Sequence, residues 1–212
     1  MKIISHRGAW KTNEEKNTVT AFEHSFKNDF GTETDIRDYK GTLVIAHDMA
    51  TGESLPLSSF FELFNSFNPG LPLALNIKAD GLQKPLVALL KQYNITNYFF
   101  FDMSVPDTLG YRQNDLDFYT RQSEYEPQPA LYEDTKGIWL DCFTGIWYDE
   151  QLIRQHINNN KTVALVSPDL HKRDHAEFWA FLKSTGLSDA ENLILCTDFP
   201  FEARDFFTTN NG

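Results

Sequence analysis

Short apolar runs alternate along the chain with segments in which apolar side chains recur every three to four positions. The runs fall at 2–5, 32–37, 72–77, 97–102, 116–120, 137–142, 161–166 and 192–197, and their length and bounding residues predict strands. Between most of them lie helical patterns. Residues 18–30 carry Val19, Phe22, Phe26 and Phe30 at helical spacing, behind Asn17-Thr18 as a cap. Residues 58–67 set Phe60, Phe61, Phe64 and Phe67 on one stripe, and 82–93, 149–159, 173–187 and 201–207 behave similarly. The stretch 122–136, with Pro127 and Pro129, predicts a loop, and 103–115, with Pro106 and Gly110, leaves room for only a turn or two of helix. Eight strands alternating with helices predict an α/β fold, a small (β/α)8 TIM barrel. No linker or low-complexity segment divides residues 1–212, which predicts a single domain. An open doubly wound sheet predicts a Gly-rich first loop, which this chain lacks.

Composition narrows the function classes. A chain of 212 residues with 18 Phe, 8 Tyr and 4 Trp can bury a sizeable core. Its net charge of −11 opposes binding to nucleic acid or to an anionic membrane surface, so a phosphate-bearing ligand needs a local positive site. No apolar run of membrane-spanning length exists, which predicts no membrane insertion. Only three residues separate Lys2 from His6, with no apolar leader among them, and a cytoplasmic location is the expectation. Cys142 and Cys196 sit in strand-like segments and read as buried thiols, not as a disulfide framework.

The densest chemistry lies at residues 31–48. Glu33 and Asp35 are two apart on a predicted strand, so both side chains share a face. Lys40-Gly41 can turn the chain, and the run 43–46 delivers His47 nearby. Two carboxylates and a histidine gathered this way can bind a divalent cation and move protons beside it. An acidic edge strand followed by a surface turn would show the same residues. His6-Arg7-Gly8 closes the first strand; Asn17-Thr18 and Ala21-Phe22 follow, then the acidic pair, then His47-Asp48. In order and spacing these motifs resemble those of the glycerophosphodiester phosphodiesterase superfamily, whose pattern is HRG, ENT-x-x-AF, ExD and HD. Weaker likeness continues at Leu75-Asn-Ile-Lys78, where the family commonly has EIK, and at Thr197-Asp198-Phe-Pro200, where it commonly has TD-x-P.

The resemblance implies a metal-dependent phosphodiester hydrolase acting on glycerophosphodiesters or related alcohol phosphodiesters. In that reading His6 and His47 are the acid–base pair, Arg7, Lys78 and Arg121 bind substrate, and Glu33, Asp35 and Asn76 hold the cation, Mg²⁺ or Ca²⁺. The partner is a small-molecule phosphodiester; oligomeric state is left open. Hydrolysis and cyclisation through a neighbouring substrate hydroxyl are both variants within the family. All these residues sit at or near predicted strand ends, where the loops of such barrels build their sites. Two departures stand out. The family's third acidic ligand is Asn76 here, and its ENT becomes Lys16-Asn17-Thr18. They motivate an alternative, a catalytically silent barrel that binds phosphorylated ligands. A sugar-phosphate isomerase on this fold would leave the histidines and the acid pair without a joint role.

Further residues carry two readings each. Asp102 faces the site or caps the following turn. Arg121 contacts substrate or forms a surface ion pair. Asp141 is a barrel carboxylate with a functional reading; Trp139 and Trp147 wall a pocket or belong to the core; His171 and His175 reach the mouth or lie on a solvated face. Ser167 lacks a Gly-rich elbow, which excludes a serine hydrolase.

Overall fold

A computed structural model describes residues 1–209. In chain order its elements are β1 (Lys2–His6), α1 (Val19–Phe26), β2 (Gly31–Tyr39), β3 (Thr42–Ile45), β4 (Leu55–Pro56), α2 (Leu57–Asn65), β5 (Leu73–Ile77), α3 (Gln83–Tyr93) and β6 (Tyr98–Phe101). There follow α4 (Val105–Gln113), β7 (Tyr119–Gln122), β8 (Gly137–Leu140), α5 (Glu150–Asn158), β9 (Thr162–Val166), α6 (Ala176–Ser184), β10 (Leu193–Thr197) and α7 (Pro200–Thr208). Every expected strand is present, and 122–136 carries no helix. Two differences have local causes. Lys40-Gly41 turns the chain into an antiparallel β3, which pairs with the short β4. The helix α4 is longer than the one or two turns expected. Its Pro106 falls in the first turn, where a missing N–H costs nothing, and the Ser104 hydroxyl caps Asp107 N at 3.3 Å.

The described residues fall into two compact units. One is Arg7–Phe118. Its sheet runs β4-β3-β2-β5-β6, with β2, β5 and β6 parallel and β3 antiparallel to β2. The register sets Glu33 beside Ala74 and Asp35 beside Asn76. Aromatic rings fill the layer outside the sheet: Phe22 meets Phe60 edge-on at 4.7 Å and Phe26 meets Phe64 at 5.2 Å. The stripe read from the sequence is therefore core. Gly8 is required for this packing, because φ is +86° and a Cβ would stand 2.6 Å from that of Ala21.

The other unit joins Met1–His6 to the chain from Tyr119 onward. Its strands are all parallel, in the order β1-β10-β9-β8-β7. Leu140, Leu165 and Leu195 pack against Ile153, Trp179, Leu182 and Ala203 from the helices. Cys142 and Cys196 are buried thiols outside any disulfide, as expected. Parallel strands put all their carboxyl ends on one edge, and the polar residues of this unit gather there.

Candidate active site

In Arg7–Phe118 the organising group is the Asp35 carboxylate, which has no exposed surface. Asn17 Nδ2 donates to Asp35 Oδ2 at 2.9 Å, Arg7 Nε stands 3.1 Å from the same oxygen, and Lys78 Nζ lies 3.4 Å from Oδ1. Period two along β2 and its pairing with β5 produce this. Glu33 and Asp35 share a face, Asn76 is level with Asp35, and Lys78 extends the ladder by donating its N–H to Ile36 O. Asn76 Nδ2 donates to Asp102 Oδ2 at 3.2 Å, and Lys78 lies 4.0 Å from that oxygen. Of its two readings, Asp102 takes the one facing the cluster, while Ser104 caps the helix.

The loop that brings Arg7 here is held in an unusual conformation. Arg7, Asn17 and Asp102 all have left-handed backbones, with φ of 61°, 60° and 67°. Such conformations cost a non-glycine residue about 1 kcal/mol or more and persist where surrounding bonds fix them. Here Arg7 N donates to Glu33 O and Asn17 N donates to Arg7 O, both at 2.9 Å. Thr34 Oγ1 then donates to Asn17 Oδ1 at 2.8 Å, so both ends of the Asn17 amide are used.

Burial is the largest influence on Glu33, and the Asp35 charge adds to it; together they push its carboxyl well above the usual range. Arg7, Lys78 and a hydrogen bond with Asn76 pull the other way. Among the described residues, the buried Asn76 Oδ1 has no hydrogen-bond partner, and Asp35 Oδ1 has only the Lys78 ion pair. Two carboxylates and an amide oxygen on one face of paired strands are a donor set that fits a hard divalent cation. The set has only two acids. Among the described residues, no group of three or more His, Cys, Asp or Glu is arranged to hold a metal ion. His47 lies past β3, about half exposed, with Nδ1 2.9 Å from Asp48 Oδ1.

In the other unit, the carboxyl edge carries a chain of paired groups. His6 Nδ1 lies 2.7 Å from Asp198 Oδ1. Asp198 N and Thr197 Oγ1 both donate to Asp169 Oδ2, at 2.7 and 3.0 Å, so a buried carboxylate behind β9 fixes the residue that holds His6. The bond to Asp198 selects the tautomer with its proton on Nδ1 and its lone pair on Nε2. Farther along, His171 Nε2 lies 2.7 Å from Asp141 Oδ1, and Phe143 packs on the His171 ring. Arg121 pairs with Glu126 through Nε and rests over Phe143. Trp139 is buried in the core, and Trp147 donates its indole N–H to Asp141 O.

Sequence reasoning placed Glu33, Asp35, Asn76, Lys78 and Arg7, which the fold gathers around one carboxylate. It left out Asn17 as a tether, Asp198 as the partner of His6 and Asp169 behind it. The TD-x-P resemblance was the signal for Asp198. Nothing local marks Asp169, whose role depends on strands that meet only in the sheet.

No family model matches the chain, and no curated protein matches it. Solved structures do. A candidate glycerophosphodiester phosphodiesterase from Galdieria sulphuraria superposes with a TM-score of 0.76 at 19% identity, covering 98% of both chains. An Oleispira antarctica phosphodiesterase, solved in complex with the product sn-glycerol-3-phosphate, gives 0.72 at 14% identity over 99% of this chain and 97% of that one. A Ca²⁺-dependent phosphatidylinositol-specific phospholipase C from Streptomyces antibioticus gives 0.58 at 8% identity over 97% and 96%. The expected fold class is met: the chain has the α/β fold of the TIM-barrel phosphodiesterases. No described helix is long and apolar enough to cross a membrane.

Proposed function

We propose that the chain is a metal-dependent phosphodiester hydrolase, folded as one domain over residues 1–212, acting on a glycerophosphodiester or a related alcohol phosphodiester. The observation that carries this reading is the Asp35 cluster. A buried carboxylate faces two cations, Arg7 and Lys78, beside the buried amide oxygen of Asn76, on a fold shared with phosphodiesterases. Arg7 and Lys78 are the groups that hold phosphate oxygens; the guanidinium can do so through two N–H groups at once. Glu33, Asp35 and Asn76 would hold a divalent cation, which supplies charge neutralisation at the phosphoryl group. His6, oriented by Asp198, presents Nε2 as the basic nitrogen, and the Asp198 charge stabilises the imidazolium after proton transfer. In the paired scheme one histidine takes the proton of the attacking hydroxyl. The other, His47 or His6 by direction, returns a proton to the leaving alkoxide. Arg121, bound to Glu126 through Nε, keeps further guanidinium N–H groups with which to meet substrate.

The second reading, a silent barrel that binds phosphorylated ligands, draws on the same cluster. Arg7 and Lys78 already neutralise Asp35, and Asn76 supplies no charge. One experiment separates the two. Purified protein is incubated with sn-glycero-3-phosphoglycerol and Mg²⁺ or Ca²⁺, with and without chelator, and glycerol phosphate is assayed. Cation-dependent release supports the hydrolase. Binding of glycerol phosphate without turnover under any cation supports the silent barrel.

A further inference from the structure

Beside the Asp35 cluster, within Arg7–Phe118, lies an open groove of about 730 Å³. Arg7, Lys16, Asn17 and Val19 form one wall; His47 and the turn of residues 52–56 form the other. Arg7 and Asn17 line the groove and also touch Asp35, so a phosphate held at Arg7 has its substituent here.

Lys16 gives the groove its character. The residue after it, Asn17, has a left-handed backbone pinned by three hydrogen bonds: its N–H donates to Arg7 O, its Nδ2 donates to Asp35, and its Oδ1 accepts from Thr34 Oγ1. On Lys16 itself, the ammonium lies 4.2 Å from the centroid of the Trp10 ring, a cation–π contact that fixes a long side chain against the wall. Two acids also line the space. Asp48, with His47 Nδ1 2.9 Å from its carboxylate, and Glu53 in the opposite turn are both exposed to solvent. Arg7, ion-paired with Asp35 through Nε, and Lys16 are the cations of the lining, in a chain whose net charge is −11. A lysine held in place beside a phosphate-binding arginine selects for a second negative group on the ligand.

We propose that this groove is an anion-selecting subsite: the ligand is a phosphate ester or diester whose alcohol carries a further carboxylate or phosphate, read by Lys16. The identity of the phosphate rests on the hydrolase reading above; the charge selection does not. The test uses two diesters of glycerol phosphate that differ only in the second alcohol, glycerate against glycerol. The expected result is a kcat/KM at least ten-fold higher for the glycerate diester, carried by KM. That preference is kept in Lys16→Arg, erased in Lys16→Met and reversed in Lys16→Glu, with melting curves confirming that each variant folds. Equal handling of the two diesters by the wild type, or an unchanged preference in Lys16→Met, overturns the proposal. If neither diester is cleaved, the hydrolase reading fails and calorimetry still decides the subsite. It compares 2-phosphoglycerate with glycerol 2-phosphate. Tighter binding of phosphoglycerate, lost in Lys16→Met, supports it, and equal binding of both by the wild type overturns it.

Discussion

The two compact units handle charge in opposite ways. In Arg7–Phe118 one carboxylate is taken wholly out of water and surrounded by an amide and two cations. Along the carboxyl edge of the other unit, carboxylates hold histidines that remain partly exposed, His6 at 13% and His171 at 23%. A buried charge must be matched by fixed partners, because desolvation of an unmatched ion costs several kcal/mol. A histidine–carboxylate pair at an edge can gain or lose a proton at modest cost. The first arrangement suits a rigid binding site; the second suits proton transfer. Stability and activity should therefore separate when the two are mutated.

The largest expected effect comes from Asp35→Ala. It leaves Arg7, Lys78 and the Asn17 amide without their common acceptor, and unfolding by denaturant should report a loss of about 3–5 kcal/mol. Diester hydrolysis should vanish together with any cation-induced rise in Tm, since ligands that bind only the native state stabilise it by mass action. A variant that keeps its full cation shift would remove Asp35 from the ligand set.

His6→Asn should divide the other way. Activity is expected to fall about 10²- to 10⁴-fold, the usual share of an acid–base group, while stability falls by only about 1–2 kcal/mol for a lost hydrogen bond to a charged partner. Loss of fold without a specific loss of kcat would contradict the contrast.

A third prediction sharpens it within one unit. His156 is buried, with Nδ1 2.9 Å from Tyr132 Oη and Nε2 2.8 Å from Gln122 Oε1. Gln122 donates its own amide to Pro127 O, so its oxygen faces the ring and requires a proton on Nε2. Burial lowers the pKa of this histidine below its ordinary 6.5. Above pH 6.5 both folded and unfolded chains carry it neutral, and it contributes no pH dependence. Below 6.5 the unfolded chain takes up a proton that the folded one does not, so stability falls with pH. Urea titrations from pH 7.5 to 5 should show a decline in stability that is reduced in His156→Gln.

The smallest effect is expected from Arg121→Ala, because its partner Glu126 is exposed and such pairs contribute about 0–1 kcal/mol. An increase in KM well beyond two-fold, with stability unchanged, would show instead that Arg121 meets substrate.

Much of this was legible locally. Apolar runs and three-to-four spacing located the strands and most helices, since those periods are fixed by backbone geometry. Period two also put Glu33 with Asp35 and Asn76 with Lys78. The misjudged helix α4 shows the limit: Pro106 breaks a helix interior but opens a first turn, and only the true start at Ser104 decides which. Arg121 shows another. A cation at the end of a strand has two outcomes in sequence, and only the turn of residues 123–126 reveals that Glu126 comes back to pair with it.

The sequence by itself determined the order of the eight main strands, the shared faces of the acidic pair and the stripe of phenylalanines, because each depends on neighbours a few residues apart. Only the tertiary structure decided which groups compensate which charge. Asp35 finds Asn17, Arg7 and Lys78 across distances of up to 43 residues, and His6 finds Asp198 across 192, through strand pairings that no local period encodes. Asp169 is the clearest case. An aspartate in a short turn after β9 has no mark of function until parallel pairing with β10 sets its carboxylate against the backbone of Asp198.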